Sequence, residues 1–254
     1  IDKTNSNAAL KHLLRIKILS RKNMLFLTIG SFCAIILITL NPVNNMILRV
    51  ALLVSIFFFW SGLLFFSWKI KIAKALLVIF PLLIILVLLI PGGSIEKNKL
   101  KALYLKQIIK YKGTKYLWGG ENSFGIDCSG LPRRALRDAL LYYSITSFNP
   151  KALRMFFEQW WFDASAKALG RGYRNYTVNL TPQGKISNMD CTKLTPGDLA
   201  VTKNGIHVLV YLGKSRWIQA APETGCVKIF IIGRDKSYWF DVPVETYRWT
   251  TLDN

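Results

Sequence analysis

Residues 127–131 read Asp127-Cys128-Ser129-Gly130-Leu131, and residues 116–120 read Tyr116-Leu117-Trp118-Gly119-Gly120. Well downstream lies His207-Val208-Leu209-Val210-Tyr211-Leu212-Gly213, followed by Gln219. A thiol, an imidazole and a carboxamide therefore occur in this order along the chain. Thiol chemistry uses one group of each kind: the thiolate attacks, the imidazole moves the proton, and the third group orients the imidazole. We predict that Cys128, His207 and Gln219 meet in one site.

The cysteine motif predicts the start of a helix. We expect this helix to begin near Asp127, a favourable N-cap residue, and to end near Tyr143. Such a start places Cys128 in the first turn, where free backbone N–H groups and the helix dipole favour the thiolate over the thiol. Pro132 cannot donate a hydrogen bond to the carbonyl of Cys128, so we expect an irregular first turn.

The histidine motif falls in a series of short strands separated by turn residues, with predicted ranges 198–202, 206–212, 216–220 and 227–232. His207 lies in the second strand and Gln219 near the end of the third. If these two strands pair as a hairpin, the two-residue alternation of strands brings both side chains to one face. The expected fold class is α+β, with the Cys128 helix packed on a small antiparallel sheet, as in papain-like cysteine peptidases.

The first 91 residues differ in character from the rest. Residues 1–23 are basic, and three apolar segments follow at 24–40, 47–68 and 75–90 within a predicted transmembrane region of 24–91. Each segment can form a membrane-spanning helix, although the third is short and contains Pro81. A soluble helical core would show polar residues at helical spacing, and these segments do not.

Charges in the short loops predict the orientation. Basic residues precede the first apolar segment, and three lysines lie at 69–74, whereas residues 41–45 carry no charge. The positive-inside rule then places the basic N-terminal segment in the cytoplasm and the turn at 41–49 outside. Three crossings put the predicted catalytic domain, residues 92–254, on the periplasmic or extracellular side of a bacterial plasma membrane. If the third segment only dips into the bilayer, this domain stays inside.

The chain carries a net charge of +20, a balance that is typical of nucleic-acid-binding proteins. Membrane spans with basic flanks account for much of this charge, so we expect no nucleic-acid partner. The sequence has no Cys/His cluster with zinc spacing and no glycine-rich phosphate loop, so we expect no metal or other cofactor. Cys33 lies within the first apolar segment, and a disulfide between Cys191 and Cys226 remains an open alternative.

Four motifs together closely resemble the NlpC/p60 family of bacterial cell-wall cysteine peptidases. The matching stretches are Tyr116-x-Trp118-Gly119-Gly120, Asp127-Cys128-Ser129-Gly130-Leu131, Leu194-x-Pro196-Gly197-Asp198-Leu199 and His207-Val208-x-x-Tyr211-Leu212-Gly213. They occur in the family's order and cover most of residues 100–232. The resemblance implies hydrolysis of the peptide stems of peptidoglycan, most often at the bond between γ-D-glutamate and a diamino acid.

The resemblance also implies roles for individual residues. The implied catalytic residues are Cys128 as the nucleophile, His207 as the base and Gln219 as the third polar group. The implied substrate-binding residues are Tyr116, Trp118, Asp127 and Ser129.

Three features depart from the family pattern. The third polar residue is often histidine in this family, whereas here it is Gln219, an amide of the kind that serves papain-like enzymes. Pro132 is not expected after the cysteine motif. The distance along the chain from Cys128 to His207 exceeds the usual spacing, so we expect an insertion at about residues 148–184.

Two other functions stay open besides a membrane-anchored cysteine endopeptidase that acts on peptidoglycan stems. The first is a thiol acyl hydrolase or acyltransferase that acts on lipid, which a membrane anchor would suit. Lipid-acting relatives often have the histidine before the cysteine, and this chain has the reverse order. The second is a wall-binding module without activity. The presence of all three groups, the thiol, the imidazole and the carboxamide, argues against this alternative. The expected partners are therefore stem peptides and the lipid bilayer.

Overall fold

The computed structural model describes the backbone of residues 3–253 and the side chains of residues 21–253. The described chain forms two compact units. One contains the residues up to Leu40 together with Ile47–Leu86. The other contains Asn41–Met46 together with the chain from Val87 onward.

The first unit consists of three apolar helices, α1 (Lys3–Leu40), α2 (Met46–Ser67) and α3 (Lys71–Leu89). By length and composition, Arg21–Leu40, α2 and α3 could each cross a membrane. These ranges agree with the three apolar segments expected from the sequence to within a few residues. Most of the basic N-terminal segment, 1–23, falls in residues 1–20, whose side chains lie outside the described part of the chain.

Close contact between α1 and α2 depends on a glycine, Gly62. A Cβ atom on Gly62 would lie 1.9 Å from Oγ1 of Thr28. Only glycine therefore allows this approach, as at many helix contacts in membrane proteins. Between α2 and α3, Nε1 of Trp60 donates to the carbonyl of Leu77 at 3.0 Å. The Trp60 ring also stacks against Phe80.

The second unit is α+β and is built on a six-stranded antiparallel sheet in the order β3-β8-β4-β5-β6-β7. A two-stranded hairpin, β1-β2, stands apart from it. The strands are β1 (Glu121–Asn122), β2 (Gly125–Ile126), β3 (Thr177–Lys185), β4 (Leu199–Thr202), β5 (Val208–Gly213), β6 (Arg216–Ala221), β7 (Cys226–Ile231) and β8 (Pro243–Trp249).

Four helices accompany the sheet: α4 (Lys97–Lys110), α5 (Gly130–Thr146), α6 (Pro150–Trp161) and the short α7 (Ala166–Leu169). Most of α5 is buried, and its core-forming apolar side chains recur at helical spacing: Leu131, Ala135, Leu136, Ala139, Leu140 and Tyr143. These side chains join a core that also contains side chains from α4, β4, β5 and β6. The core fixes α5 relative to the sheet, and so fixes the residues just before α5.

The motif Leu194-x-Pro196-Gly197-Asp198 closes this unit through a buried ion pair. The carboxylate of Asp198 is 1 % exposed and accepts two hydrogen bonds from the Arg248 guanidinium, at 2.7 and 2.8 Å. It also accepts the backbone N–H of Thr195 at 2.7 Å. Such a paired carboxylate is costly to disturb, because removing one partner leaves a buried charge alone. Asp198, just before β4, therefore ties β4 to β8.

Four strands were not expected from the sequence: the short β1 and β2, and two strands of the six-stranded sheet, β3 and β8. β3 contains Pro182 and Gly184, residues that weaken any strand prediction, and its pairing with β8 is interrupted by a bulge. β8 begins at Pro243. Along the chain, β3 precedes the four predicted strands and β8 follows them. The segment expected to be an insertion, 148–184, forms α6, α7 and most of β3, so it is part of the fold.

All four cysteines of the sequence lie among the described residues, and all are free thiols. The alternative of a disulfide between Cys191 and Cys226 is therefore wrong for this structure.

Candidate active site

A cavity of about 560 Å³ in the second unit brings together most of the residues singled out from the sequence. Its size is within the usual range for small-molecule and peptide sites. The cavity is lined by Val43, Asn44, Asn45, Tyr116, Trp118, Gly119, Asp127, Cys128, Ser129, Arg133, Asp163, Ser165, Ala166, Gly205, Ile206, His207, Pro222 and Trp239.

Cys128 lies in the tight connection between β2 and α5. The N-cap of α5 is Ser129, so the expected helix start at Asp127 is early and Cys128 precedes the helix. Pro132 gives the physical reason. Leu131 donates to the carbonyl of Asp127 at 3.0 Å, but Pro132 has no N–H for the next carbonyl, that of Cys128.

The side chain of Asp127 fixes the backbone on both sides of the thiol. Its Oδ1 accepts the backbone N–H of Gly130 at 2.6 Å and the hydroxyl of Ser129 at 3.1 Å. Its Oδ2 accepts the backbone N–H of Gly119 at 2.8 Å. Asp127 therefore ties the Gly119–Gly120 turn to the start of α5. Both Asp127 and Ser129 were expected to contact substrate, and both line the cavity.

Two glycines around the cysteine are required by close approach of the backbone. A Cβ atom on Gly130 would lie 2.3 Å from the carbonyl oxygen of Gly120. A Cβ atom on Gly120 would in turn lie 2.5 Å from the carbonyl oxygen of Gly125. These distances are far below van der Waals contact, which explains the glycines in both halves of the cysteine motif.

His207 and Gln219 meet as the hairpin prediction required. The strands pair with Val210 opposite Ile218, which makes His207 and Gln219 diagonal neighbours on one face. His207 Nε2 lies 2.6 Å from Gln219 Oε1, and both side chains are buried. Gln219 Nε2 donates to Oγ of Ser237 at 2.9 Å, so its Oε1 is the acceptor and His207 Nε2 carries the hydrogen. Nδ1 of His207 is then left as the basic nitrogen.

Trp239 is a site residue that the sequence prediction missed. Its ring stacks on the His207 imidazole with centroids 3.8 Å apart and planes 10° from parallel. Nε1 of Trp239 donates to Oε2 of Glu223 at 3.1 Å, which fixes the indole. The stack covers one face of the imidazole and restricts its rotation. An aromatic residue twenty positions beyond Gln219 carries no local signal of this contact.

Burial keeps both the thiol and the imidazole neutral. Burial, with a smaller contribution from the Asp127 charge, raises the pKa of Cys128 to about 12, although backbone N–H groups oppose the shift. Burial lowers the pKa of His207 to about 4, although the hydrogen bond to Gln219 opposes this shift. The expected stabilised thiolate is therefore wrong for the ligand-free protein, because desolvation outweighs the helix terminus. The thiol lies 3.6 Å from the carbonyl oxygen of Ile206, the residue before the histidine.

These pKa shifts predict the reactivity of the free protein. A thiol with a pKa of about 12 is ionised in only about one molecule in 10⁵ at pH 7. We therefore expect no thiolate absorbance at 240 nm from Cys128 at pH 7, and an iodoacetamide reaction that is slow at neutral pH and accelerates up to strongly alkaline pH. The Cys128→Ala variant supplies the baseline for the other thiols. Thiolate absorbance that is already complete between pH 5 and 8 would contradict this prediction.

The remaining predicted contact residues, Tyr116 and Trp118, also line the cavity. Trp118 is 82 % exposed, so its indole is available to a ligand at the cavity mouth. Burial, followed by the charges of Cys128 and Asp127, raises the pKa of Tyr116 to about 12. The phenol of Tyr116 therefore keeps its proton at neutral pH and is able to donate a hydrogen bond.

Sequence reasoning also missed a charged group in the cavity wall. Arg133, on the first turn of α5, is buried and forms ion pairs with Asp163 and with Glu121, the latter at 3.3 Å. Its Nε donates to the carbonyl of Ser129 at 3.1 Å. Asp163 comes from the 148–184 segment, so that segment contributes to the cavity directly.

Comparison with known proteins places this site in a family. The model of the NlpC/P60 family matches residues 113–246, just over half of the chain. Among curated proteins, the chain is 25% identical over 142 residues to the murein DD-endopeptidase MepS/murein LD-carboxypeptidase of Escherichia coli (strain K12). That match covers 55% of this chain and 57% of the relative, so the chain spans little more than half of the relative's length.

Solved structures are similar at lower identity. The peptidoglycan hydrolase RipB from Mycobacterium tuberculosis matches with 19% identity and a TM-score of 0.36, over 59% of this chain and 65% of that one. NlpC1 from Trichomonas vaginalis matches with 20% identity and a TM-score of 0.38, over 57% of this chain and 42% of that one.

Proposed function

The chain belongs to the NlpC/P60 family, and on that premise we propose that it is a membrane-anchored cysteine endopeptidase that cleaves the peptide stems of bacterial peptidoglycan. One observation carries the proposal: Cys128 lies in the same cavity as a histidine whose Nε2 is held by Gln219 at 2.6 Å. This is the arrangement that a thiol nucleophile, a base and an orienting amide require. The printed name of the E. coli relative, a murein endopeptidase, supports the substrate class.

The proposed reaction begins with the neutral pair. Nδ1 of His207 takes the thiol proton as the sulfur of Cys128 attacks the peptide carbonyl, because the free protein holds too little thiolate to react by itself. The hydrogen bond to Gln219 and the Trp239 stack keep the imidazole in the tautomer and orientation that this transfer needs. The imidazolium then protonates the leaving amine, and a thioester remains on Cys128. Water activated by His207 releases the acyl fragment.

Charge on the carbonyl oxygen develops next to two donors. The backbone N–H of Cys128 is one of the N–H groups that oppose the rise in the thiol pKa. The phenol of Tyr116 stays protonated and is close enough for the Cys128 charge to influence its own pKa. We assign these two groups to the oxyanion, where donors are worth more in a partly buried cavity than in water. Trp118, Asp127 and Ser129 are assigned to substrate contact at the cavity wall.

The test uses the full-length protein in detergent micelles with purified disaccharide peptides and cross-linked dimers, followed by mass spectrometry. We expect two fragments whose masses sum to the substrate plus one water. The family resemblance favours cleavage between γ-D-glutamate and the diamino acid, whereas the name of the E. coli relative favours the D,D cross-link, and fragment masses distinguish the two. Absence of cleavage across the panel contradicts the proposal. Fatty acid release from phospholipid vesicles, with stems untouched, would identify a lipid hydrolase instead.

The proposed location is the outer side of the plasma membrane. Residues 41–45, between α1 and α2, hydrogen-bond to residues 119–122 of the second unit, so both segments lie on one side of any bilayer that the helices cross. α3 has 19 residues, or about 28 Å at ~1.5 Å per residue, close to the ~30 Å hydrocarbon core. By the positive-inside rule, the lysines at 69–74 support a cytoplasmic location for the turn between α2 and α3.

This topology predicts the behaviour of reporter fusions. Alkaline phosphatase, which folds only outside the cytoplasm, is expected to be active when fused after residue 254 and inactive when fused after Lys71. A green fluorescent protein fusion at the same two positions should give the opposite pattern. Activity of phosphatase at Lys71 with none at residue 254 would reverse the orientation and deny the enzyme access to the wall.

A further inference from the structure

The five residues between α1 and α2, residues 41–45, are bound to the rest of the second unit by hydrogen bonds. The backbone N–H of Glu121 donates to the carbonyl of Pro42 at 2.8 Å, and Nδ2 of Asn122 donates to the carbonyl of Asn41 at 2.9 Å. Nδ2 of Asn44 donates to Oε2 of Glu121 at 2.7 Å. Val43 also forms an antiparallel bridge with the residue preceding Glu121. We name residues 41–45 the inter-helix loop.

The attachment point of the inter-helix loop is itself rigid. The Glu121 side chain is 2 % exposed and forms ion pairs with Arg133 and Arg137 on α5, at 3.3 and 3.1 Å. α5 is the helix that follows Cys128 directly. Buried, paired charges hold their partners in one geometry because any displacement leaves a charge uncompensated. The inter-helix loop is therefore fixed to the same element that positions the thiol.

The inter-helix loop also reaches the cavity. Val43, Asn44 and Asn45 line the same space as Cys128 and His207. The backbone N–H of Asn44 donates to the carbonyl of Gly119 at 3.4 Å, which seats the loop beside the cysteine motif. One wall of the cavity is thus supplied by residues that lie more than seventy positions before the cysteine and outside the segment matched by the family model.

We propose that Val43, Asn44 and Asn45 form a substrate-contacting wall that decides which stem peptides enter the cleft. This inference rests on the proposed function, since it concerns the same site. Carboxamides both donate and accept hydrogen bonds, so Asn45 suits the backbone amides and terminal carboxylates of a peptide. Val43 supplies an apolar surface and sets the width of the cleft at this side. A peptide stem has to fit between this wall and the catalytic side chains, so stems of different bulk are distinguished here.

The first test compares KM and kcat of full-length variants for a single stem and for a cross-linked dimer. Asn45→Ala removes a contact to bound substrate, so KM is expected to rise about 5-fold while kcat changes less than about 2-fold. Val43→Trp narrows the cleft, so KM for the cross-linked dimer is expected to rise about 10-fold or more, and KM for the single stem to rise less. A merely structural role for the loop would lower activity on both substrates alike.

Met46→Trp is the matched control, because Met46 directly follows the inter-helix loop as the first residue of α2, is exposed and does not line the cavity. It should leave both KM values within about 2-fold of the wild type. If Val43→Trp lowers the unfolding temperature by more than about 3 °C, Asn45→Trp at an exposed position replaces it. The proposal is overturned if the KM values for both substrates are unchanged in two folded proteins that are measured separately. The first is Val43→Trp, or Asn45→Trp in its place, and the second is Asn45→Ala.

A second measurement separates this proposal from the proposed function. Cys128 is alkylated at pH 9 either by iodoacetamide or by a bulky peptide-linked iodoacetamide, and the ratio of the two rates is compared between variants. Val43→Trp is expected to slow the bulky reagent at least about 5-fold more than the small one, whether or not any stem is cleaved. An unchanged ratio rejects the wall, whereas a changed ratio without stem cleavage rejects only the substrate assigned to the site.

Discussion

Replacing Cys128 with alanine is expected to lower the rate of stem cleavage by about 10⁵-fold or more. The reason is that the other cavity-lining groups cannot form the covalent intermediate. The cavity wall and the donors assigned to the oxyanion remain in this variant, so it should still bind substrate. Mass spectrometry of the products, with initial rates from the fragment peaks, measures the loss.

Cys191→Ala is the matched control for this experiment. Cys191 is a free, partly buried thiol that does not line the cavity, so its loss should leave the rate within about 2-fold of the wild type. Unfolding temperatures of both variants within about 2 °C of the wild type would exclude a folding defect. Cleavage by the Cys128→Ala protein at a tenth of the wild-type rate or more would remove Cys128 from the role of nucleophile.

The second large effect is expected from His207→Ala, with kcat reduced by about 10³-fold or more. Without the imidazole, the cavity loses the base that we propose for a thiol whose pKa is about 12. The truncation also leaves a space beneath the Trp239 ring, with the Gln219 carboxamide at its far side. Free imidazole in the buffer is therefore expected to enter this space and restore part of the activity. Initial rates with increasing imidazole concentration measure the rescue.

The rescue distinguishes a base from a residue that only supports the fold. Its dependence on pH should follow the neutral fraction of imidazole, because only the neutral form accepts a proton. N-methylated imidazole, which lacks the hydrogen that Gln219 accepts, should rescue less well. A His207→Ala protein that is folded and retains most of its activity would contradict the assignment of His207 as the base.

The meeting of the three candidate catalytic residues could be predicted from the sequence because their signals are local. The turn glycines around Cys128 and the short strands around His207 and Gln219 are readable within a few residues. Strand alternation then predicts that the imidazole and the carboxamide share a face, and their atoms lie 2.6 Å apart in the structure. The three apolar helices were predictable for the same reason, since length and the absence of charge suffice to identify them.

Other parts of the site could not be predicted, because they depend on contacts between distant segments. Nothing in residues 41–45 indicates that they pack beside Glu121, a contact that exists only once the second unit has folded. Trp239 likewise reaches His207 through the return of the chain after β7. The state of the thiol was predicted wrongly, because a helix terminus is visible in sequence whereas the degree of burial that raises the Cys128 pKa is not.

The central claim is that Cys128 forms a thioester with the stem peptide, and trapping that adduct tests it most directly. Full-length protein is mixed with the stem that it cleaves, quenched in acid during turnover, digested and examined by mass spectrometry. The account predicts an added mass on the peptide that contains Cys128, equal to the acyl fragment of the stem, labile to hydroxylamine and absent from Cys128→Ala. The account would be contradicted if the wild type cleaved the stem with no adduct on Cys128 and the Cys128→Ala protein cleaved it as well.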